Sequence, residues 1–554
     1  MAARTAGRAV VDVLEAEGVD HVFGLPGGHT LGIYDALYGS SIRHVLVRHE
    51  HGAASMAAAY AQLTGQPGIC LVTAGPGATN LLTGIAEAYV GCLPIVVLAG
   101  RGATATTHRG ASQEVATDRI FAPVTKWAVR VDRTDLIVDV LRQAFAIARS
   151  GRPGPVVVSL PRDMLEEDAK ISMIDPYPMV RSDPDPRSIE QIVDRINAAK
   201  KPVLIAGSGT QYSNARQELI DFSEKFQVPV LTSYKRQDAF PNNHPNYIGN
   251  LANANKHARN LVADEADLVV VIGSRLNQQT TASFAIPKPG QPFIQIYPDE
   301  EAIGQNLRPD VGIVADAKTA LAAALKFQGP RPNESRAGWV AEHHAAQKRY
   351  ATPSERPTRR VSMERVMADL KAALPPDAIT TTDAGSFGQW HQRYLEFDYA
   401  DSYISPSLGC MGPGVPSAVA AKLAHPGRMV VSHCGDGGFL MTGQEMATAK
   451  QFGADIITIV YNNEGYNSIR MHQVAQYPGR PSGNDLMNPD FAALGSAYGA
   501  LGLKVDRDEE FLPALKQAMS ANRSALIEVS TDLEYVTPTA TLTELSGKPL
   551  QGGD

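Results

Sequence analysis

Residues 429–463, MVVSHCGDGGFLMTGQEMATAKQFGADIITIVYNN, contain the side chains best suited to chemistry. The segment reads as a buried strand, a glycine loop, a helix and a second buried strand, which is the pattern of a right-handed crossover between parallel strands. Asp436 and Asn463 therefore lie at the carboxyl ends of neighbouring strands, where both can reach one ligand. Their oxygens suit Mg²⁺ or Ca²⁺, but two side chains are too few without a phosphate, water or backbone carbonyls.

The glycine loop between these two strands could bind the phosphate that such a metal site needs. Gly435, Gly437 and Gly438 leave room for a phosphate, and the following helix directs its unpaired N–H groups towards it. A tight strand-to-helix turn with an exposed capping aspartate is the alternative. Thr442 and Glu445 have the spacing of a helix capping box. The segment as a whole favours a metal bound together with a diphosphate.

A second candidate is a carboxylate in the first third of the chain. Residues 45–50, VLVRHE, predict a buried strand that ends in Glu50, directly before a helix of small residues. On the residues alone, a solvated capping glutamate is the more common role. A buried acid at this point is the alternative.

The elements that must position these residues form a repeating pattern. Short apolar runs such as ICLVTA, PVVVSL, DLVVVIG and IITIVY are bounded by Gly or Pro and alternate with helical stretches. Such runs suit parallel strands buried on both faces, so we predict an α/β protein with three doubly wound parallel-sheet domains. Residues 51–77 and 412–437 share one order of elements, which suggests one fold for the first and last thirds. The predicted parts are domains at 1–171, 189–327 and 359–535, proline-rich linkers at 172–188 and 328–358, and a tail at 536–554.

Composition excludes several classes of protein. The 554 residues carry a formal charge of −7, which disfavours a nucleic acid or an anionic membrane as the main partner. Four cysteines without CxxC spacing indicate neither a disulfide framework nor a zinc site, so a reducing cytoplasm is the expected location. The first 18 residues predict an amphipathic helix rather than a signal peptide, and no apolar run is long enough to span a membrane.

With these motifs in place, almost the whole chain resembles the thiamine diphosphate enzymes of the acetohydroxyacid synthase, pyruvate oxidase and benzaldehyde lyase superfamily. The resemblance implies a pyrimidine-binding domain, a central Rossmann-like domain and a diphosphate-binding domain, in that order. It also implies that Asp436, Asn463 and the main-chain oxygen of Gly465 hold Mg²⁺. Two further motifs match, TTDAGSFGQW and SLGCMGPG. The implied cofactor-binding residues are Ala384, Gly385, Ser386, Phe387, Gly409, Met411, Gly435, Asp436, Gly437, Gly438, Asn463, Gly465 and Tyr466.

The same resemblance assigns Glu50 as the catalytic activator. In this family such a glutamate bonds N1′ of the cofactor's aminopyrimidine, and it belongs to a different subunit from the diphosphate site. We therefore expect a homodimer or homotetramer with active sites shared between subunits.

Other features bear on the substrate. GLPGGHTLGIYDAL and GDGGFLMTGQEMAT are typical of acetohydroxyacid synthases, whereas residues 275–279 read RLNQQ where those synthases carry an acceptor-selecting Asp-Arg pair. His472 also stands where they carry a tryptophan. His29 with Gln113 instead resembles benzaldehyde lyase, in which a neutral imidazole could move a proton of the substrate hydroxyl. A loop histidine bonded to backbone is the alternative for His29.

The expected activity is a thiamine-diphosphate-dependent carboligase or decarboxylase acting on 2-oxo acids, similar to acetolactate synthase. Three alternatives stay open: a benzaldehyde-lyase-like enzyme acting on 2-hydroxy ketones, an FAD-dependent enzyme similar to pyruvate oxidase, and a catalytically idle binding protein. The GSG of residues 207–209 is weak support for a nucleotide, so FAD is possible and unproven.

Overall fold

Three six-stranded parallel sheets follow one another along the chain. The computed structural model describes residues 4–169, 172–330, 334–354 and 356–547. Each sheet carries helices on both faces, and separate apolar clusters lie on its two sides. The predicted α/β class with three doubly wound domains is confirmed.

The first sheet uses strands from the first 161 residues. Its strands are β2 (His21–Leu25), β3 (Arg43–Leu46), β4 (Gly68–Val72), β5 (Ile95–Arg101), β6 (Trp127–Arg130) and β7 (Pro155–Pro161), and the same domain has the short strands β1 (Arg4–Thr5) and β8 (Asp168–Ala169) outside this sheet. The helices are α1 (Ala6–Ala16), α2 (Leu31–Leu37), α3 (Glu50–Thr64), α4 (Pro76–Thr79), α5 (Leu82–Gly91), α6 (Thr117–Phe121), α7 (Ile137–Arg149) and α8 (Arg162–Glu166). The sheet order is β3-β2-β4-β5-β7-β6, and β1 pairs with β8 separately.

The middle sheet has a different connectivity. Its strands are β9 (Pro202–Ala206), β10 (Val230–Thr232), β11 (Tyr247–Asn250), β12 (Leu268–Ile272), β13 (Phe293–Tyr297) and β14 (Val311–Val314). Its helices are α9 (Pro186–Ala198), α10 (Ser208–Tyr212), α11 (Arg216–Phe226), α12 (Lys256–Asn260) and α13 (Ala317–Ala324). The order β11-β10-β9-β12-β13-β14 is that of a Rossmann fold.

The last sheet repeats the strand order of the first. Its strands are β15 (Ile379–Thr382), β16 (Tyr403–Ile404), β17 (Val430–Gly435), β18 (Ile457–Asn462), β19 (Leu501–Val505) and β20 (Ala525–Ser530), followed by the hairpin strands β21 (Tyr535–Thr537) and β22 (Ala540–Thr541). Helix α14 (Glu334–Tyr350) precedes this sheet and packs on the middle domain. The helices of the last domain are α15 (Met363–Ala373), α16 (Gly388–Tyr394), α17 (Gly414–Ala424), α18 (Asp436–Thr442), α19 (Glu445–Phe452), α20 (Asn467–Gln476), α21 (Phe491–Ala497), α22 (Asp508–Met519) and α23 (Leu542–Ser546). The order β16-β15-β17-β18-β20-β19 confirms that the first and last thirds share one fold.

Small residues hold the first and last domains together. Helices α3 and α17 are both rich in alanine and contribute to one shared apolar cluster. The neighbouring helix α5 also packs tightly here, because a Cβ atom added to Gly84 would lie 2.4 Å from the Cβ of Ala54. Larger side chains would force these helices apart, so the small-residue composition fixes how the two domains meet.

Two local predictions were wrong. The segment 328–358 is not an extended linker, because its middle forms α14 and buries Arg336 and Trp339. Strand β3 ends at Leu46, so Glu50 opens helix α3 rather than closing a strand. The tail begins with a hairpin and the short helix α23, while residues 548–554 and the boundary at 171 lie outside the described residues.

The linker at 172–188 is irregular as far as residue 185, and Pro186 begins α9. Within the described ranges, none of the helices has the length and apolar character needed to cross a membrane.

Candidate active site

A cavity of about 220 Å³ lies at the carboxyl edge of the last sheet. Loops that follow β15, β16, β17 and β18 border it, so residues from four separate sequence segments converge there. Every residue that the sequence predicted to bind the cofactor lines this cavity: Ala384, Gly385, Ser386, Phe387, Gly409, Met411, Gly435, Asp436, Gly437, Gly438, Asn463, Gly465 and Tyr466. The site is at the position where open α/β sheets bind ligands.

Asp436 is the charged group at the centre of the predicted metal site. Its side chain is 3 % exposed, and its carboxylate accepts hydrogen bonds from Gly437 N at 2.8 Å and Gly465 N at 3.2 Å. Asn463 Oδ1 accepts from the same Gly465 N at 3.2 Å, so the two predicted ligands meet at one backbone amide. This places them as expected at the ends of β17 and β18.

The environment of Asp436 fits a hard cation. Burial raises the pKa of this carboxyl group, and hydrogen bonds from Gly437 and Asn488 oppose the rise. A buried anion that receives only N–H donors gains from a nearby divalent cation. Across the described part of the chain, however, no three His, Cys, Asp or Glu side chains group into a metal site. The donor set therefore suits Mg²⁺ that is completed by phosphate oxygens and water.

The glycines of the loop are also needed for packing. A Cβ atom on Gly437 would lie 2.4 Å from the ring of Tyr466, and one on Gly438 would lie 2.3 Å from Asp383 Oδ2. At Gly435 the nearest contact would be 3.4 Å away. Two of the three glycines thus allow the loop to approach neighbouring side chains, in addition to the room they leave in the cavity.

Asp383 is a second buried carboxylate beside the cavity, and it anchors another cofactor loop. Its Oδ1 accepts from Gly412 N at 3.0 Å and Gly414 N at 2.7 Å. Burial raises the pKa of Asp383 to about 6, against the opposing effect of these amides. Asp383, which follows β15, therefore holds the turn after Met411 against the end of that strand.

The three predicted catalytic residues gather around the loop after β4. The Glu50 carboxylate is 7 % exposed, and its Oε2 accepts from Asn80 Nδ2 at 2.9 Å. A Cβ atom on Gly77 would lie 3.4 Å from Glu50 Oε1, and one on Gly75 would lie 2.7 Å from the carbonyl oxygen of Gln113. This loop therefore runs between Glu50 and Gln113.

His29 joins the same group through Thr73. Its Nδ1 lies 3.3 Å from Thr73 Oγ1, and it also has a side-chain hydrogen bond to Gln113. Burial lowers the pKa of His29, and the nearby Arg162 lowers it further. The imidazole is therefore neutral at physiological pH, as a group that accepts a proton must be.

A single chain does not bring the two halves of the site together. All residues that line the cavity lie between Met363 and Tyr535, so Glu50, His29 and Gln113 do not border it. The acid that the chemistry requires and the pocket that would hold the cofactor are on different domains.

Sequence reasoning missed two residues that orient the predicted ones. Asn488 Nδ2 donates to Asp436 Oδ2 at 3.0 Å and to Asn462 Oδ1 at 2.9 Å. Asn80 orients Glu50 in a similar way. Neither lies within a motif that specifies such a contact, although Asn80 follows the small-residue run TAGPGAT.

One sequence prediction about the site fails for a structural reason. Thr442 and Glu445 do not form a capping box, because Thr442 donates to Gly412 O and Glu445 accepts from Arg48 and His49. In the GSG loop, which gave weak support for a nucleotide, two of the three main-chain amides are bonded within the middle domain. Gly207 N and Gly209 N donate to main-chain oxygens of Ile272 and Gly273, at 2.9 Å each.

Fold and site together define an enzyme that binds thiamine diphosphate. Three family models match consecutive parts of the chain: the N-terminal thiamine pyrophosphate binding domain at residues 4–120, the central domain at 189–324 and the C-terminal binding domain at 383–529. The chain belongs to the thiamine pyrophosphate enzyme family.

Relatives that match over nearly the whole chain are acetolactate synthases. The probable acetolactate synthase large subunit of Methanocaldococcus jannaschii is 33 % identical, with 97 % of this chain and 94 % of the relative covered. The Corynebacterium glutamicum large subunit is 35 % identical (94 % and 85 % covered), and the Escherichia coli isozyme 3 large subunit is 34 % identical (96 % and 95 %). The predicted acetolactate-synthase-like enzyme that depends on thiamine diphosphate is confirmed.

Proposed function

We propose that this enzyme takes a 2-oxo acid as donor, binds thiamine diphosphate with Mg²⁺, and builds each active site from two copies of the chain. The observation that supports this most strongly is the convergence of all predicted cofactor-binding residues on one cavity that Glu50 does not reach in the single chain. A second copy would supply Glu50, His29 and Gln113 to that cavity. The smallest assembly is then a homodimer, and a homotetramer is two such pairs.

The residues of the last domain would hold the cofactor. Asp436, Asn463 and Gly465 would hold Mg²⁺, and the loop at 384–387 would flank the diphosphate together with the glycines at 435–438. The bound cofactor supplies a nucleophilic carbon that attacks the donor carbonyl and stabilises the electron pair released by bond cleavage. The protein's task is to orient donor and acceptor beside that carbon and to exclude water from it.

The residues of the first domain would move protons. Glu50 is buried and held by Asn80, so its carboxylate is fixed in one direction. From the second copy it would bond the cofactor's pyrimidine ring and exchange a proton with it. His29, neutral and bonded to Thr73 and Gln113, would take or return a proton of the substrate oxygen.

The shared site has a direct test. We would mix subunits that carry Glu50→Gln with subunits that carry Asp436→Ala, after each variant alone has been shown to be inactive. In a mixed dimer one site carries both lesions and the other carries neither, so random pairing restores about a quarter of wild-type activity. A mixture as inactive as its components would contradict a site built from two copies.

A second candidate is cleavage or formation of 2-hydroxy ketones. His29 lies beside the loop after β4 that also contacts Glu50, and this position favours the second candidate. Gln278 and Gln279, which stand where acetohydroxyacid synthases carry the Asp-Arg pair, favour it as well. Product identification by mass spectrometry would separate the two candidates, with pyruvate plus a second 2-oxo acid in one assay and a 2-hydroxy ketone in the other. Release of an aldehyde from the hydroxy ketone, with no ligation of 2-oxo acids, would favour the lyase.

The flavin-dependent alternative stays a further candidate, although Gly207 N and Gly209 N of the GSG loop donate to main-chain oxygens within the middle domain. An absorbance spectrum of the purified enzyme would show a bound flavin directly. The idle binding protein would bind the cofactor and turn over none of these substrates.

A further inference from the structure

A buried glutamate of the last domain binds the segment that carries Glu50. Glu445, the first residue of α19, is 0 % exposed. Its Oε1 accepts from Arg48 N at 2.9 Å and from His49 N at 3.1 Å, and its Oε2 accepts from Thr448 Oγ1 at 2.6 Å. The two amides directly precede Glu50. A single carboxylate oxygen therefore fixes the entry into α3.

The fit around this carboxylate is tight. A Cβ atom on Gly52 would lie only 2.5 Å from Glu445 Oε1, so the first turn of α3 leaves the carboxylate no room to shift. Buried carboxylates are stable only when hydrogen bonds replace their lost water, and here two main-chain amides and a hydroxyl do so. Displacing Glu445 would therefore release the backbone next to Glu50.

A buried glutamate of the first domain makes the reverse contact. Glu87, in α5, is 7 % exposed and accepts from Ser407 N through Oε1 and from Leu408 N through Oε2, the second at 2.9 Å. Cys410 Sγ donates to the same Oε2 at 3.3 Å. These residues belong to the loop at 405–412 that brings Gly409 and Met411 to the cofactor cavity.

The two contacts are related by the shared fold of the outer domains. Glu87 ends the sequence LLTGIAE after the loop that follows β4, and Glu445 ends LMTGQE after the loop that follows β17. Strands β4 and β17 occupy the same place in sheets of identical order. Each domain thus uses a glutamate of the second helix after the corresponding strand to bind the backbone of a site loop in the other domain.

We propose that Glu445 and Glu87 are a crossed pair of positioning residues, in which Glu445 aims Glu50 and Glu87 holds the loop that seats the cofactor. The inference rests on the proposed function, since it assigns the two loops to activation and to cofactor binding. Charge-assisted hydrogen bonds to two amides are strong enough to set loop position. Because Glu445 serves activation and Glu87 serves cofactor binding, variants of the two residues should impair different steps.

The first test needs neither cofactor nor turnover. Hydrogen–deuterium exchange of the apoprotein, read by mass spectrometry, should speed up at residues 43–50 in Glu445→Ala and at residues 405–411 in Glu87→Ala. Each variant should leave the other segment as in the wild type. Equal acceleration of both segments in both variants would overturn the proposal, because it would indicate a general loosening of the domain interface.

The second test separates cofactor binding from activation. Glu87→Ala should weaken thiamine diphosphate binding by about 10-fold or more, the size expected when hydrogen bonds to a charged group are lost. Glu445→Ala should leave that affinity within about 3-fold and slow exchange of the cofactor's C2 proton by about 10²-fold, as for a misplaced catalytic group. Wild-type protein that binds no thiamine diphosphate would refute the proposed function while leaving the apoprotein test decisive.

Glutamine variants of Glu445 and Glu87 test the two roles even if the alanine variants fail to fold. The two glutamine variants should differ from each other. In Glu445→Gln one amide oxygen can still accept both Arg48 N and His49 N, so C2 exchange should recover to within about 3-fold of wild type. In Glu87→Gln the two backbone amides face different oxygens, so one of them would meet an NH₂ group. That variant should not recover cofactor affinity.

A buried carboxylate away from both loops is the matched control. Glu17, whose side chain is 1 % exposed, pairs with Arg142 and Arg149 on the outer face of the first domain. Glu17→Gln should lower thermal stability without changing cofactor affinity, C2 exchange or exchange at either loop. If the Glu87 and Glu445 variants behave like this control at equal loss of stability, neither residue positions the site.

Discussion

Replacing Glu50 by glutamine should separate activation from every other property of the enzyme. Glutamine has nearly the same shape, and its amide oxygen can still accept from Asn80 Nδ2, which lies 2.9 Å from Glu50 Oε2. Only the charge assistance of one hydrogen bond is lost, so the free energy of unfolding should fall by about 1 kcal/mol or less. The fold should therefore survive.

The catalytic effect should be much larger. A positioned group that exchanges a proton with the reacting system contributes about 10²- to 10⁴-fold in rate, or about 3 to 5 kcal/mol of barrier. Glu50 does not border the cavity of its own chain, and all residues that do lie between Met363 and Tyr535. Cofactor affinity should consequently stay within about 3-fold of wild type, because the residues that line the cavity are unchanged and only the single bond from the partner's Glu50 position to the pyrimidine ring is altered.

Three measurements check this reasoning. Fluorescence titration with thiamine diphosphate and Mg²⁺ reports affinity, NMR of the C2 proton reports activation, and product formation from pyruvate reports turnover. Wild-type turnover in Glu50→Gln would refute the assigned role. Loss of cofactor affinity equal to the loss of turnover would show that Glu50 acts in binding instead of activation.

Further variants address other parts of the site. His29→Ala should slow formation or cleavage of the new carbon–carbon bond by about 10²-fold and leave C2 proton exchange unchanged, and unchanged rates for both would make it a loop residue only. Gly437→Ala should weaken cofactor binding, because its Cβ would lie 2.4 Å from the Tyr466 ring, whereas Gly427→Ala has open space and should bind as wild type. Asp383 has a raised pKa, from 3.8 to about 6, so the native state holds this proton more tightly than the unfolded state. Apoprotein stability should accordingly decline by up to about 3 kcal/mol as pH rises from about 4 to 6, and denaturant titrations should show a smaller decline for Asp383→Asn.

These tests all depend on how the first and last domains of one chain contribute to the proposed active sites. In the proposed dimer, the activating glutamate and the cofactor cavity of one chain serve two different active sites. Helices α3 and α17 join those halves within the chain, and the contacts of Glu87 and Glu445 lie at the same interface. This small-residue interface therefore offers one path by which a change in one site can reach the other.

Much of the site was predictable because its signals are local. The run from Val430 to Asn463 specifies two strands, a glycine loop and a helix, and the connectivity of such a unit places Asp436 beside Asn463. Helix α19 likewise ends on a local feature, Gly453, which adopts the left-handed conformation that closes the helix. The parallel character of the three sheets followed from apolar runs that are buried on both faces.

The errors came from places where tertiary contacts override local preference. Residues 328–358 contain prolines at both ends, yet the middle forms α14 because Arg336 and Trp339 find buried partners on the middle domain. Glu445 has the spacing of a capping residue, but two amides nearly 400 residues earlier in the chain offer it hydrogen bonds that the helix start does not.

The sequence by itself determined the α/β class, the order of the elements, the cofactor family and the candidate cofactor-binding residues that line part of the cavity, because each depends on neighbours within a few dozen residues. Only the tertiary structure decided that Glu50 opens a helix, that Asn80 and Asn488 orient the two key carboxylates, and that Glu87 and Glu445 each hold a loop of the opposite domain. Those contacts join distant segments. Their geometry is set by how closely α3, α5 and α17 can approach, which only the packed small residues fix.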